Sequence, residues 1–123
     1  MSATGLRAAA RRTEWLPIGR AADIPMLEGR SVEVDRRRIA VFRLPDGWAA
    51  IDNACPHRGG PLGDGIVADH CVTCPLHNRR FSLHTGARQD AEGEGVRTYE
   101  VRERAGALEL RGASLAERLE PAA

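Results

Sequence analysis

Cys55-Pro56-His57-Arg58-Gly59-Gly60-Pro61-Leu62 and Cys74-Pro75-Leu76-His77 decide how this chain is read. Each stretch is a short knuckle offering one thiolate and one imidazole, and sixteen residues separate His57 from Cys74. The residues around both suit a tight loop better than a helix or a strand. A scaffold that presents the two loops side by side would bring two cysteines and two histidines to one point. The remaining residues are read for how they build and serve that point.

The chain has 123 residues, 42% of them apolar, which suffices for one domain around one core. Its 18 basic and 17 acidic residues leave a formal charge of +1, which argues against a nucleic-acid or membrane-surface partner. No apolar run approaches the roughly 18 residues of a membrane span. Arg11-Arg12 is followed by Thr13-Glu14-Trp15-Leu16-Pro17 and not by an apolar export segment, so a cytoplasmic location is expected. If Cys55 and Cys74 hold metal, Cys71 has no partner left, and a reducing compartment fits that count.

Taken in order, residues 1–12 read as a tail, 13–112 as the domain and 113–123 as a short helix and tail, with a helical stretch expected over Ser114–Leu119. Glu14 to Gly19 reads as a first strand anchored by Trp15 and Ile18. Ser31 to Val34 alternates with the period of a half-buried strand, and Arg36-Arg37-Arg38 reads as a solvated turn. Ile39–Leu44 and Trp48–Ile51 flank the turn signal Pro45-Asp46-Gly47, and that hairpin delivers the chain into the first knuckle. Short strands follow at Ile66-Val67, Cys71–Thr73 and Arg80–Leu83. A loop is expected over 87–95, then a hairpin of Val96–Arg102 with Ala107–Arg111. Many short strands and almost no helix indicate an all-β sandwich or small barrel.

Two Cys and two His admit two chemistries. One is a closed structural zinc site, which would make the chain an interaction module. The other is a [2Fe–2S] cluster with two Cys on one iron and two His on the other. Familiar zinc fingers pair like ligands within a knuckle, whereas here each knuckle is mixed, so that each loop can give one residue to each iron. Gly59, Gly60, Gly63 and Gly65 allow close backbone approach, Pro56, Pro61 and Pro75 stiffen the loops, and Leu62 and Leu76 can shield the thiolates. Two neutral imidazoles in place of two thiolates leave the oxidised cluster formally neutral, and so easier to reduce than an all-thiolate one.

The knuckles, with Gly65-Ile66-Val67, Val72-Thr73, Asn78, Phe81-Ser82-Leu83 and Thr85-Gly86, resemble the Rieske [2Fe–2S] family over about Trp15 to Arg111. Within it the wording is most similar to the small subunit of assimilatory NAD(P)H-dependent nitrite reductase. That narrower likeness rests on Arg-Gly-Gly-Pro-Leu, Cys-Pro-Leu-His-Asn and the run Val96–Val101. The resemblance implies a Rieske-like antiparallel β-sandwich with an inserted cluster-binding subdomain at about 53–80. It also implies Cys55 and Cys74 on the buried iron, with His57 and His77 on the outer one. High-potential members carry a disulfide clamp at positions matching Gly60 and Leu76, and hydroxyl donors at positions matching Arg79 and Phe81. Both features are absent, which indicates the low-potential class.

The function so implied is one-electron transfer, without catalysis by this chain alone. The expected partner is a large sirohaem-, flavin- and iron–sulfur-bearing subunit that reduces nitrite to ammonium. The alternative client is an aromatic-ring-hydroxylating dioxygenase and its reductase, for which the chain would be the ferredoxin component. No catalytic triad, paired carboxylates or phosphate-binding glycine loop is present. Cys71 reads as a small buried hydrophobe, His70 and His84 as solvent-facing, and Asp64 and Asp69 as turn residues. Arg58, Arg79 and Arg80 read either as solvated cations or as a docking site for an acidic partner.

Overall fold

The structure, a computed structural model, describes residues 14–56 and 59–112. His57, Arg58, the tail expected over 1–12 and the helix expected over Ser114–Leu119 lie outside the described residues. The strands are β1 (Trp15–Arg20), β2 (Gly29–Val34), β3 (Arg37–Leu44), β4 (Gly47–Asp52) and β5 (Ile66–Ala68). They continue with β6 (Cys71–Thr73), β7 (Arg80–Ser82), β8 (Thr98–Tyr99), β9 (Val101–Arg104) and β10 (Ala107–Arg111). Among the described residues they form three sheets, ordered β1-β10-β9, β2-β3-β4-β8 and β5-β6-β7, and every pairing is antiparallel.

β3 explains the layering. Ile39, Ala40, Val41 and Phe42 are all fully buried, which a strand achieves only when both its faces are covered. Alternate residues point to opposite sides. Ile39 and Val41 join one core with Leu16, Ala21, Ile24, Leu108 and Leu110, contributed by the outer sheet and the turn after β1. Ala40, Phe42 and Leu44 join the other with Leu62, Val67, Val72, Phe81 and Leu83. That second core also contains Cys55 and Cys74. The four-stranded sheet therefore separates a plain apolar core from one that holds the two thiols. This is the all-β, antiparallel architecture expected.

Three of the hairpins, β2–β3, β5–β6 and β9–β10, close with left-handed pairs that match strand twist: Asp35-Arg36, Asp69-His70 and Ala105-Gly106. The expected turn at Arg36–Arg38 is thus displaced. Arg37 and Arg38 are ladder residues opposite Val34 and Glu33. In β1 the buried residue is Leu16. Trp15 is half-buried beneath the Arg102 guanidinium, 4.0 Å from its ring centre, and Ile18 only packs against the core edge. The register is irregular between Pro17 and Gly19, at Ile18 itself.

The expected strand Val96–Arg102 is two strands in different sheets. Thr98–Tyr99 pairs with β4, and Val101–Arg104 with β10. Buried Tyr99 donates its hydroxyl to Asp52 at 2.6 Å, pinning the crossing to the end of β4. No helix among the described residues is long and apolar enough to cross a membrane.

Candidate metal centre

The two knuckles share one backbone frame. In the first, the Cys55 N–H donates to the Gly60 carbonyl at 2.9 Å, and the Gly59 N–H donates to the Cys55 carbonyl at 2.7 Å. In the second, the Cys74 N–H donates to the Arg79 carbonyl at 2.7 Å, and the Asn78 N–H donates to the Cys74 carbonyl at 3.1 Å. Four residues beyond each cysteine the chain turns left-handed, at φ 71 for Gly59 and φ 58 for Asn78. Glycine and asparagine are the residues that tolerate this best. The frames match, but the histidine stands two residues after Cys55 and three after Cys74.

Different supports hold the two frames. The second is the turn of the β6–β7 hairpin, closing beyond the pair Thr73–Arg80. The first is tied down by Asn53, a polar residue buried to 7% exposure. Its N–H donates to the Arg38 carbonyl at 3.1 Å, its carbonyl accepts from Leu62 at 2.7 Å, and its Oδ1 accepts from the Gly63 N–H at 2.8 Å.

The knuckles face each other. A Cβ placed on Gly60 would lie 2.7 Å from the Cys74 Sγ and 3.1 Å from Leu76 Cγ and Cδ1. Gly60 and Leu76 are therefore neighbours, as the positions of an inter-loop clamp must be, and neither is cysteine. Cys55 and Cys74 are 2% and 1% exposed, and no disulfide joins any of the three cysteines. His77 is exposed, and Leu76 is 57% exposed beside it. The structure thus sets Cys74 against the first knuckle at Gly60 and leaves His77 in the exposed turn of the second; His57 lies outside the described residues, and among those described no three of these side chains converge as a single-metal site. Two buried, unbridged thiols on facing loops, with glycine where a side chain would collide with sulfur, fit a [2Fe–2S] cluster.

Several neighbours differ from expectation. Cys71 is half-exposed. His70 is not simply solvated: its Nε2 lies 3.2 Å from both Asp46 carboxylate oxygens, and its ring stacks on His84 at 4.7 Å. That hydrogen bond draws the Asp46 carboxyl below its ordinary value. The loop over 87–95 carries an ion pair that sequence reasoning missed. Arg88 Nε and Nη2 reach the two carboxylate oxygens of Asp90 at 3.0 and 2.9 Å, and Asp90 also accepts the Arg80 N–H at 2.9 Å. The Arg88 guanidinium holds the Asp90 carboxyl well below the usual carboxylate range. Asp90 in turn raises Arg88, with a smaller electrostatic contribution from Cys55. Asn53 was also missed, and Asn78 was read only as part of a motif and not for its left-handed turn. Their signal was the residue type itself, an asparagine just before one knuckle and four residues into the other.

The family profile of the Rieske-like [2Fe-2S] domain matches residues 14–111. The ferredoxin subunit of an anthranilate 1,2-dioxygenase from Burkholderia cepacia is 37% identical over 90 residues, spanning 72% of this chain and 83% of that one. Among solved structures, the ferredoxin of carbazole 1,9a-dioxygenase from Nocardioides aromaticivorans IC177 aligns with TM-score 0.74 and 24% identity, over 80% of this chain and 98% of that one. A Mycobacterium tuberculosis chain described as the small subunit of an NADH-dependent nitrite reductase aligns with TM-score 0.73 and 27% identity, over 79% and 93%.

The fold is therefore common to both groups, and the stronger sequence relationship runs to the dioxygenase ferredoxin. This overturns the expected nitrite reductase small subunit, and with it the sirohaem-bearing partner. The physical reason lies in the motifs used. Arg-Gly-Gly-Pro-Leu and Cys-Pro-Leu-His-Asn supply Gly59, Gly60 and Asn78, which the knuckle backbone needs whatever the client. Thr98-Tyr99 is likewise a structural crossing. The structural zinc reading falls as well: the chain is a single cluster-binding domain and belongs to the Rieske-like [2Fe-2S] family.

Proposed function

We propose that this chain is the ferredoxin component of an aromatic-ring-hydroxylating dioxygenase system, carrying single electrons between a reductase and an oxygenase. The observation that carries this reading is the 37% identity to such a ferredoxin over 83% of its length. A [2Fe–2S] cluster supplies one-electron redox chemistry. Cys55 and Cys74 would hold its inner iron, and His57 and His77 its outer iron, within a subdomain at about 53–80. The burial of both thiols supports that division, as does the exposure of His77. Leu62 and Phe81 keep water from the sulfur side, and His77 offers a ring edge that a partner can reach. Catalysis would belong to the partners, and a reducing cytoplasm would keep Cys71 a thiol.

With Leu76 in place of a clamp cysteine, and fully buried Phe81 in place of a hydroxyl donor, the potential is expected low in the Rieske range of roughly −150 to +300 mV. The test is absorption and EPR of the purified chain before and after dithionite. A brown protein with equimolar iron and sulfide, and a reduced signal averaging below g of about 2, is expected. Cys74→Ser should abolish the colour. Full colour in that variant would remove Cys74 from the ligand set, and a colourless wild-type chain rich in zinc would remove the electron-transfer reading.

A further inference from the structure

We propose that the flank of the second knuckle, Leu76 with Arg79 and Arg80, is a docking face for an acidic protein surface; the inference rests on the electron-transfer reading above. From Cys71 to Gln89 the chain contains no Asp or Glu, although it has 17 in all. Three arginines fall in that stretch. Arg88 is matched by Asp90. Arg79 is half-buried and Arg80 exposed, and neither guanidinium makes an ion pair with any described residue. Arg30, Arg102 and Arg111, by contrast, are paired with Glu28, Glu109 and Glu100.

The first knuckle differs. Arg36 and Arg38 line a groove with Cys55 and Pro56, and Asp52 and Glu94 line the same groove, so its charge is mixed. Arginines unpaired with any described residue also occur elsewhere, Arg104 on β9 among them, but Arg79 and Arg80 follow closely on exposed His77 in a stretch without an acidic residue. There Leu76 stands out as a large apolar side chain held in water. An exposed leucine beside unmatched guanidiniums fits a partner face with an apolar cup rimmed by Asp and Glu. Such complementarity steers encounter towards the end of the molecule where electrons would cross.

The experiment is voltammetry of the full, cluster-loaded chain on gold coated with carboxylate-ended or amine-ended alkanethiols. Electron transfer is expected to be about tenfold faster on the carboxylate surface and to slow as salt is added. Arg79→Glu with Arg80→Glu should remove the preference, and the milder Arg79→Gln with Arg80→Gln should reduce it, while Arg104→Glu on β9 should keep it. Equal rates on both surfaces, or a preference that survives the double reversal, overturns the docking inference and leaves a redox-active carrier. No redox wave on either surface overturns the electron-transfer reading, and this inference with it.

Discussion

Asp90 shows how much one side chain organises beside the candidate centre. It accepts both arms of Arg88 and the backbone N–H that opens β7. Its folded pKa is depressed, so the stability it contributes is present above the unfolded carboxylate value of about 3.9 and is lost as pH falls through the folded value. Arg88→Gln should therefore move the Asp90 carboxyl, followed by NMR, back up towards about 3.9. A carboxyl that stays low in that variant would assign the effect to the Arg80 N–H alone. The ligand residues were legible in the sequence because metal chemistry restricts residue type. The roles of Asn53, Asn78 and the Arg88–Asp90 pair were not. They depend on local backbone conformation and on which groups come within hydrogen-bond reach, and spacing does not state that.

At the scale of elements, β3 carries the largest stake. Phe42 is fully buried in the core that also holds Cys55 and Cys74. Phe42→Ala is expected to cost about 3–5 kcal/mol, read as a lower midpoint in urea unfolding. A shift worth less than about 1 kcal/mol would mean that the core collapses around the gap. β3, β4 and the three short strands were readable from apolar runs and turn residues. The segment 96–104 was not. Its alternation suits one long strand, and only the Tyr99–Asp52 bond and the pairing of Val101–Arg104 with β10 reveal two sheets. β1 was readable as a strand but not in its anchors: Leu16 is the buried residue, and the register is irregular at Ile18.

For the whole molecule, the arrangement is two cores divided by a sheet, with the knuckles attached on one side only. Ligand binding and folding are coupled in such loops. Stripping the metal with a chelator should speed amide exchange at Gly59, Leu62, Cys74 and Asn78, while Val41, Phe42 and Ala50 stay protected. Uniform loss of protection would show that the cluster supports the entire chain. The family was legible from two knuckles because few chemistries use mixed Cys/His pairs. The client was not, because the residues that looked diagnostic serve the backbone frame. What separates one client from another lies on exposed surface, where no packing rule restricts it.

The double-sided burial of β3 has one more consequence. In a sheet wetted on one face, a slip of one residue drives polar groups inward and is rejected at once. Here a slip would exchange Ile39 and Val41 for Ala40 and Phe42, and every group involved is oily. Hydropathy alone is then blind to the error. Size is not, because Phe42 lies opposite Gly29 in the ladder, where an added Cβ would come within 2.6 Å of the ring. The alignment of this sheet is written in volume, as a ring seated where its opposite residue has no side chain.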